Sequence, residues 1–270
     1  MNALPEYQVF AIRYAYVDRV RRENFIDTHD AHDLPMPMDY FIWLIRREEQ
    51  VFLVDTGFNQ AAADARGRRL LRCPIRALEA LGLSTADVTE VIITHMHYDH
   101  AGNVDLLPQA RFHLQESEMR FATGRYMLYR PLRQSFNVED VVNLVRGVHQ
   151  QRVVFHEGDV ELTPGIELLH IGGHTMGLQA VRVHTARGWV VLASDASHYY
   201  SNMEEDCPFP VVLDVGAMLD GYRKLLARAS SPDHIVPGHD PRVREIYPYH
   251  GDPDDDIVAL HLPPNRDVDK

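Results

Sequence analysis

Apolar residues in this chain come mainly in short runs separated by polar punctuation, a pattern that predicts strands more often than helices. Such runs predict strands over 7–15, 40–45 and 51–54, the last ending in the turn sequence Asp55-Thr56-Gly57. The period then lengthens. Residues 74–83 (PIRALEALGL) predict a helix with Pro74 in its first turn and Gly82 near its end, leading into a compact apolar strand over 91–94. A second series follows, with a strand over 111–114, a helix over 116–122, an amphipathic stretch over 138–145, and strands over 153–155, 166–169, 180–183 and 190–193. A helix over 214–229 puts Met218, Tyr222 and Leu225 on one face, and a last short strand falls at 235–236. Strands outnumber helices, and each half closes strand, helix, strand. Two sheets covered by outer helices accommodate this, an α/β fold.

No Gly/Ser-rich or Pro-rich linker and no internal repeat divides the 270 residues, which read as a single domain over 1–270. The only shift in composition is an acidic, proline-containing tail over 251–270. A hydrophobic content of 45% with 24% charged residues supplies ample material for a core. The 27 Lys and Arg against 39 Asp and Glu give a net charge of −12, which disfavours nucleic acid as a partner. Cys73 and Cys207 are too few for a disulfide framework, although one bridge between them stays open. The first ten residues lack the order of a secretory signal, and no apolar run approaches the roughly 18 residues that span a bilayer. The expectation is a cytoplasmic protein, monomer or homodimer, without a membrane partner.

Histidine is the unusual component, with 16 copies. The predicted strand at 91–94 runs into His95-Met96-His97-Tyr98-Asp99-His100, followed by Ala101-Gly102. Residues two apart in an extended segment point the same way, so His95 and His97 can face one cation while Asp99 and His100, past the strand end, face a second position. The small Ala-Gly pair lets backbone crowd the site. Three other apolar strands end in metal-ligand residues, at His174 after Gly172-Gly173, at Asp195, and at His239 after Pro237-Gly238. Five imidazoles and two carboxylates suit zinc, with iron and manganese as alternatives. The segment 27–33 (DTHDAHD) also carries ligand types but no strand scaffold, and reads as a solvated loop.

In order and spacing, His95, His97, Asp99, His100, His174, Asp195 and His239 resemble the metal motif of the metallo-β-lactamase-fold hydrolases, and Asp55-Thr56-Gly57 resembles that family's early strand-end turn. The resemblance implies an αββα sandwich of two mixed β-sheets flanked by helices. It also implies two Zn2+ ions, one on His95, His97 and His174, the other on Asp99, His100 and His239, with Asp195 bridging. Within the family the chain is most similar to the N-acyl-homoserine lactonases, through HMHYDHAG at 95–102, Gly173-His174-Thr175 with Gly177 and Gln179, Asp195-Ala196-Ser197, and Gly238-His239-Asp240. It departs from them at Leu178, where histidine is frequent, and at His198, where they carry a tyrosine; Tyr199 and Tyr200 come next.

The resemblance implies a dinuclear zinc hydrolase that opens a lactone ring, N-acyl-homoserine lactone being the leading substrate, by attack of a metal-bridging hydroxide. Asp99 would shuttle the proton, and His198 or Tyr199 would donate to the developing oxyanion, His198 alternatively orienting Asp195 or facing solvent. A thioesterase of the glyoxalase-II type, a phosphodiesterase and a non-catalytic metal-binding module are the alternatives. His170 reads as structural. An insertion over 121–148 interleaves Tyr126, Met127, Leu128, Tyr129, Leu132 and Phe136 with Arg125, Arg130 and Arg133, and lines a cleft or packs as an ordinary helix. The proline-stiffened run Leu34-Pro35-Met36-Pro37-Met38 reads as a pocket wall or a dimer contact.

Overall fold

The computed structural model describes residues 3–27 and 33–265, so the ligand-rich run at 28–32 lies outside the described residues. The first sheet takes β1 (Gln8–Val17), β2 (Met38–Arg47), β3 (Gln50–Val54), β4 (Arg69–Leu70), β5 (Glu90–Ile92), β6 (Arg111–Gln115) and β7 (Val153–His156). The second takes β8 (Val160–Thr163), β9 (Ile166–His170), β10 (Gln179–Thr185), β11 (Gly188–Ser194) and β12 (Ile235–Pro237), after which β13 (Ile257–Ala259) returns to the first sheet beside β1. Both sheets are mixed: β3, β5, β6 and β7 run parallel while β1, β2 and β3 alternate, and β12 lies parallel to β11 at the edge of an otherwise antiparallel sheet.

Burial on both sheet faces explains the continuous apolar runs. In β2, Phe41, Trp43 and Ile45 point between the sheets, where they meet Val181, Val183, Val190 and Leu192 of the second sheet. Their neighbours Tyr40, Ile42 and Leu44 point outward onto α1 (Gln60–Arg66), α2 (Glu116–Ala122) and α4 (Val138–His149), the last two flanking the short α3 (Arg130–Arg133). Past α5 (Tyr200–Glu204), α6 (Val215–Arg228) covers the outer face of the second sheet through Leu225, against Leu169, Val191 and Ile235; α7 (Arg242–Ile246) returns Val243 to the space between the sheets. The layers are helix, sheet, sheet, helix, as the resemblance implies.

Three expectations change. Residues 76–81 form a 3-10 helix closed by Gly82 in the left-handed region, shorter and tighter than the α-helix predicted over 74–83. Within the stretch 251–270, the described residues up to 265 are no free tail, since Ile257, Val258, Ala259 and Leu260 are buried and β13 pairs with β1. Strand β5 stops at Ile92, so His95 and His97 lie past the strand end rather than on the strand, with a turn closing after His97. Cys73 and Cys207 are both free. No helix among the described residues is long and apolar enough to cross a membrane.

Candidate metal centre

Every residue of the sequence motif leaves the same edge of the two sheets. The turn 95–101 follows β5, His174 sits between β9 and β10, and Asp195 and His239 follow β11 and β12. The 95–101 turn is drawn tight by bonds from the amides of His100 and Ala101 to the His97 carbonyl. Gly102 must be glycine for this approach: a Cβ there would stand 2.5 Å from the Gly57 carbonyl oxygen, to which the Gly102 amide donates at 2.8 Å.

Three ring nitrogens converge. His95 Nε2 lies 3.1 Å from His97 Nδ1, and His174 Nε2 lies 3.1 Å and 2.9 Å from the same two atoms. His95 and His97 thus present different ring nitrogens, Nε2 and Nδ1. The Asp195 carboxylate stands between this triad and a second group. Its Oδ2 is 3.4 Å from His174 Nε2 and 3.8 Å from His95 Nε2; its Oδ1 is 3.1 Å from His100 Nε2 and 3.0 Å from His239 Nε2. Asp99 completes the second group, 3.9 Å from His100 Nε2 and 4.0 Å from His239 Nε2.

The far nitrogens are held by acceptors. His174 Nδ1 donates to the Val211 carbonyl at 2.6 Å, His239 Nδ1 to the Asp39 carbonyl at 2.8 Å, and His100 Nδ1 to Asp55 Oδ2 at 2.7 Å. These bonds turn Nε2 of each ring toward the cluster, where a cation would meet it. Asp55 also accepts from the Thr94 amide and hydroxyl, at 2.7 and 2.8 Å. Sequence reasoning read Asp55 only as a turn residue, and Glu118 not at all. Glu118, fully buried, accepts from the amides of Met96 and Gly177 at 2.9 Å each and so pins the His95 and His174 loops together. The signal lay in Gly177, where a Cβ would stand 2.3 Å from the Glu118 amide nitrogen.

The donor set fits a divalent cation. Burial pushes His95, His97 and His174 below the ordinary imidazole value, so they are neutral with free lone pairs at pH 7. Around a tetrahedral ion with bonds of about 2.0–2.1 Å, ligand nitrogens stand about 3.3 Å apart, close to the spacing here. His100 Nε2 is buried, with Asp195 Oδ1 3.1 Å away and no well-formed hydrogen bond, a position that a cation would satisfy in place of a proton. Burial works against charge on His100 too, but Asp195, Asp55 and Asp99 outweigh it and hold its value well above normal. Asp195 is likewise opposed by burial and held well below normal by His100, His239 and His198.

His198 meets the cluster through Asp195, and Tyr199 points away from it. The His198 ring stacks on Phe209, 3.3 Å between centroids, and Nε2 lies 2.9 Å from Asp195 Oδ2, so its N–H is engaged there rather than offered to a substrate. Burial brings its value down to about 3 against the pull of Asp195. Tyr199 is buried, and its hydroxyl donates to the Pro37 carbonyl at 3.2 Å, away from the cluster. His170 is apart from the cluster, bonding the Met176 carbonyl at 3.0 Å.

A polar cavity of about 260 Å³ opens on the cluster, lined by His97, Asp99, His174, Asp195 and His198 together with Met38 and Tyr40. Met38 makes the 34–38 run a pocket wall at its last residue. A wider cleft of about 1020 Å³ adjoins it across Arg66 and Gln134, and takes Met127, Arg130, Arg133 and Phe136 from the 121–148 segment. Leu128 and Tyr129 are instead 77% and 60% exposed, so that segment is only partly a cleft wall.

The Metallo-beta-lactamase superfamily profile matches residues 37–239. A probable metallo-hydrolase of Mycobacterium tuberculosis is 27% identical over 82% of this chain and 74% of its own length. An N-acyl homoserine lactonase of a Bacillus species is 28% identical over 66% of this chain and 70% of its own. The crystal structure of a quorum-quenching N-acyl homoserine lactone lactonase superposes with a TM-score of 0.73, at 23% identity, over 90% of this chain and 95% of that one. With the profile spanning most of the chain and the sandwich reproduced, the chain belongs to the metallo-β-lactamase superfamily.

Proposed function

We propose that this metallo-hydrolase is a dinuclear zinc enzyme that cleaves a carboxylic ester, most naturally a lactone ring. His95, His97 and His174 would hold one ion, and Asp99, His100 and His239 the other, with Asp195 reaching both. The observation that carries this reading is the position of Asp195, one oxygen within 3.4 Å of His174 Nε2 and the other within 3.1 Å of both His100 and His239 Nε2. Imidazole and carboxylate donors favour zinc.

When bound, such a pair supplies hydroxide at neutral pH and polarises an ester carbonyl. The chain's own residues do the rest. Asp99 borders the cavity, so its carboxylate can take the proton released on attack and return it to the departing alkoxide oxygen. His198, wedged between Phe209 and Asp195, keeps the Asp195 carboxylate turned to span the two groups. Thr94 and Asp55 fix the His100 ring, and Glu118 fixes the loops. The Bacillus lactonase among the relatives makes an acyl-homoserine lactone a natural first substrate to try.

The test is zinc-loaded protein offered a lactone, a glutathione thioester and a bis-aryl phosphodiester side by side, with ring opening followed by proton release. Preferential lactone opening is expected. Turnover confined to the thioester or the phosphodiester would overturn the ester assignment.

A further inference from the structure

The cavity over the cluster carries three arginines that the proposed chemistry does not use. Arg19, Arg66 and Arg68 line it together with Tyr40, Tyr98 and the cluster residues. All three are half-buried, and among the described residues none of them is ion-paired. Elsewhere Arg13 pairs with Asp39 and Asp256, Arg182 and Arg228 share Glu167, and Arg244 returns to Asp39 and Asp256, while half-buried arginines without an ion pair, such as Arg152, lie away from the cluster cavity.

Two of the three are held in place by neutral groups. Arg66 donates to the carbonyls of Gln134 and Phe136 at 2.8 and 3.1 Å and lies over the Tyr98 ring, 3.9 Å from its centroid. Arg68 donates through Nε to the Tyr98 hydroxyl at 3.1 Å and through Nη1 to the Arg66 carbonyl at 2.9 Å. Arg19 makes a single side-chain bond, Nη1 to Asn24 Oδ1 at 3.3 Å. Nη2 of Arg68, and Nε and Nη2 of Arg19, have no protein partner among the described residues. The two carboxylates in the cavity, Asp99 and Asp195, are metal ligands in the proposed function. With the cations in place, no other carboxylate lines this cavity to balance the guanidiniums, although Arg66 also feels Asp140 across the adjoining cleft.

We infer that Arg19, Arg66 and Arg68 form an anion-binding corner beside the metal centre, and that the ester or lactone cleaved there carries a carboxylate or phosphate group. The inference rests on the ester-hydrolase reading and narrows its substrate class. A guanidinium fork matches either oxyacid group, and a cavity of about 260 Å³ takes a compact molecule. A neutral acyl-homoserine lactone would leave the corner unsatisfied.

Two matched pairs test this on the zinc-loaded protein: γ-valerolactone against 5-oxotetrahydrofuran-2-carboxylate, and 4-nitrophenyl butyrate against 4-nitrophenyl hydrogen succinate. The charged member of at least one pair is expected to have a kcat/KM about tenfold or more above its neutral partner. Arg19→Met and Arg68→Met should each cut that ratio severalfold, Arg68→Lys should restore part of it, and Arg125→Met, an exposed charge outside the cavity, should leave it unaltered. Calorimetric titration with succinate, inorganic phosphate and succinamide gives a readout independent of turnover. Either anion should bind more tightly than succinamide and lose that advantage in Arg68→Met, and the tighter of the two identifies the oxyacid. Brisk cleavage of the neutral members with no charge preference in either pair, or a preference that survives both Met variants, overturns the inference and leaves the ester reading standing. Hydrolysis of none of the four compounds removes both.

Discussion

Replacing Asp55 by Asn isolates the part that a residue outside the ligand set plays in metal binding. The substitution suits the backbone, because position 55 has φ of 63°, a region that Asn tolerates as Asp does and that Ala would not. Asp55 is fully buried and accepts three bonds, from the Thr94 amide on Oδ1 and from the Thr94 hydroxyl and His100 Nδ1 on Oδ2. An amide offers one oxygen in place of two. Turned to the Thr94 amide, it sets its NH2 against His100 Nδ1, which forces the His100 proton onto Nε2, the atom facing Asp195. Turned to His100, it sets NH2 against the Thr94 N–H. One buried donor is opposed either way, costing about 1–3 kcal/mol of stability. Loss of the partner that orients a ligand histidine typically weakens metal binding about 10–100-fold, or about 1.4–2.8 kcal/mol at 1.4 per tenfold. In a chelator competition the more weakly held zinc equivalent should weaken by that factor, while the equivalent assigned to His95, His97 and His174 keeps its affinity. Wild-type affinity at both sites in the folded variant would refute the role given to Asp55.

Three further outcomes follow from the geometry. His198→Phe should retain both zinc equivalents and lower turnover by about 10–100-fold, since it removes only the grip on Asp195; unaltered turnover would take His198 out of the account. Tyr199→Phe should leave turnover within about twofold and cost about 1 kcal/mol in urea unfolding, the worth of one hydrogen bond to the Pro37 carbonyl; a large loss of kcat would reinstate it as a catalytic group. Burial, followed by Asp105, pushes the Asp140 carboxyl up from 3.8 to about 7, and its Oδ2 has no hydrogen-bond partner. A raised value means that the folded state favours the protonated form, a preference fully present below about pH 4 and lost as pH rises through 7. Asp140→Asn should therefore raise stability relative to wild type at pH 8, by about 1–2 kcal/mol after discounting for solvent near the cleft, with little difference at pH 4; equal stability at both values would contradict this.

The cluster was legible in the sequence because its residues end short apolar strands, and sheet burial makes those strands conspicuous. The run Val190-Val191-Leu192-Ala193 is apolar throughout because alternate residues face α6 and the other sheet. The helix expected over 214–229 is bounded by its own caps, with Asp214 accepting from the Ala217 amide. What escaped reading depends on distant partners. Asp55 and Glu118 look like ordinary surface acids until residues 22 to 59 positions away in sequence close over them. Strand β13 hides in acidic surroundings because three buried residues are too short a run to stand out. The helix α1 did leave a signal, Asn59 capping its start and left-handed Gly67 its end around an alanine-rich turn. Over 76–81, packing of Ala77, Leu78 and Leu81 against the first sheet favours a tight 3-10 turn over the α-helix that the composition suggests.

The central claim is that two cations sit on either side of Asp195. Anomalous diffraction at the zinc edge from zinc-loaded crystals tests it most directly. The account predicts two peaks, one within bonding distance of His95 Nε2, His97 Nδ1 and His174 Nε2, the other of His100 Nε2, His239 Nε2 and Asp99, with Asp195 touching both. A single peak, or ions bound away from these seven side chains, would contradict it.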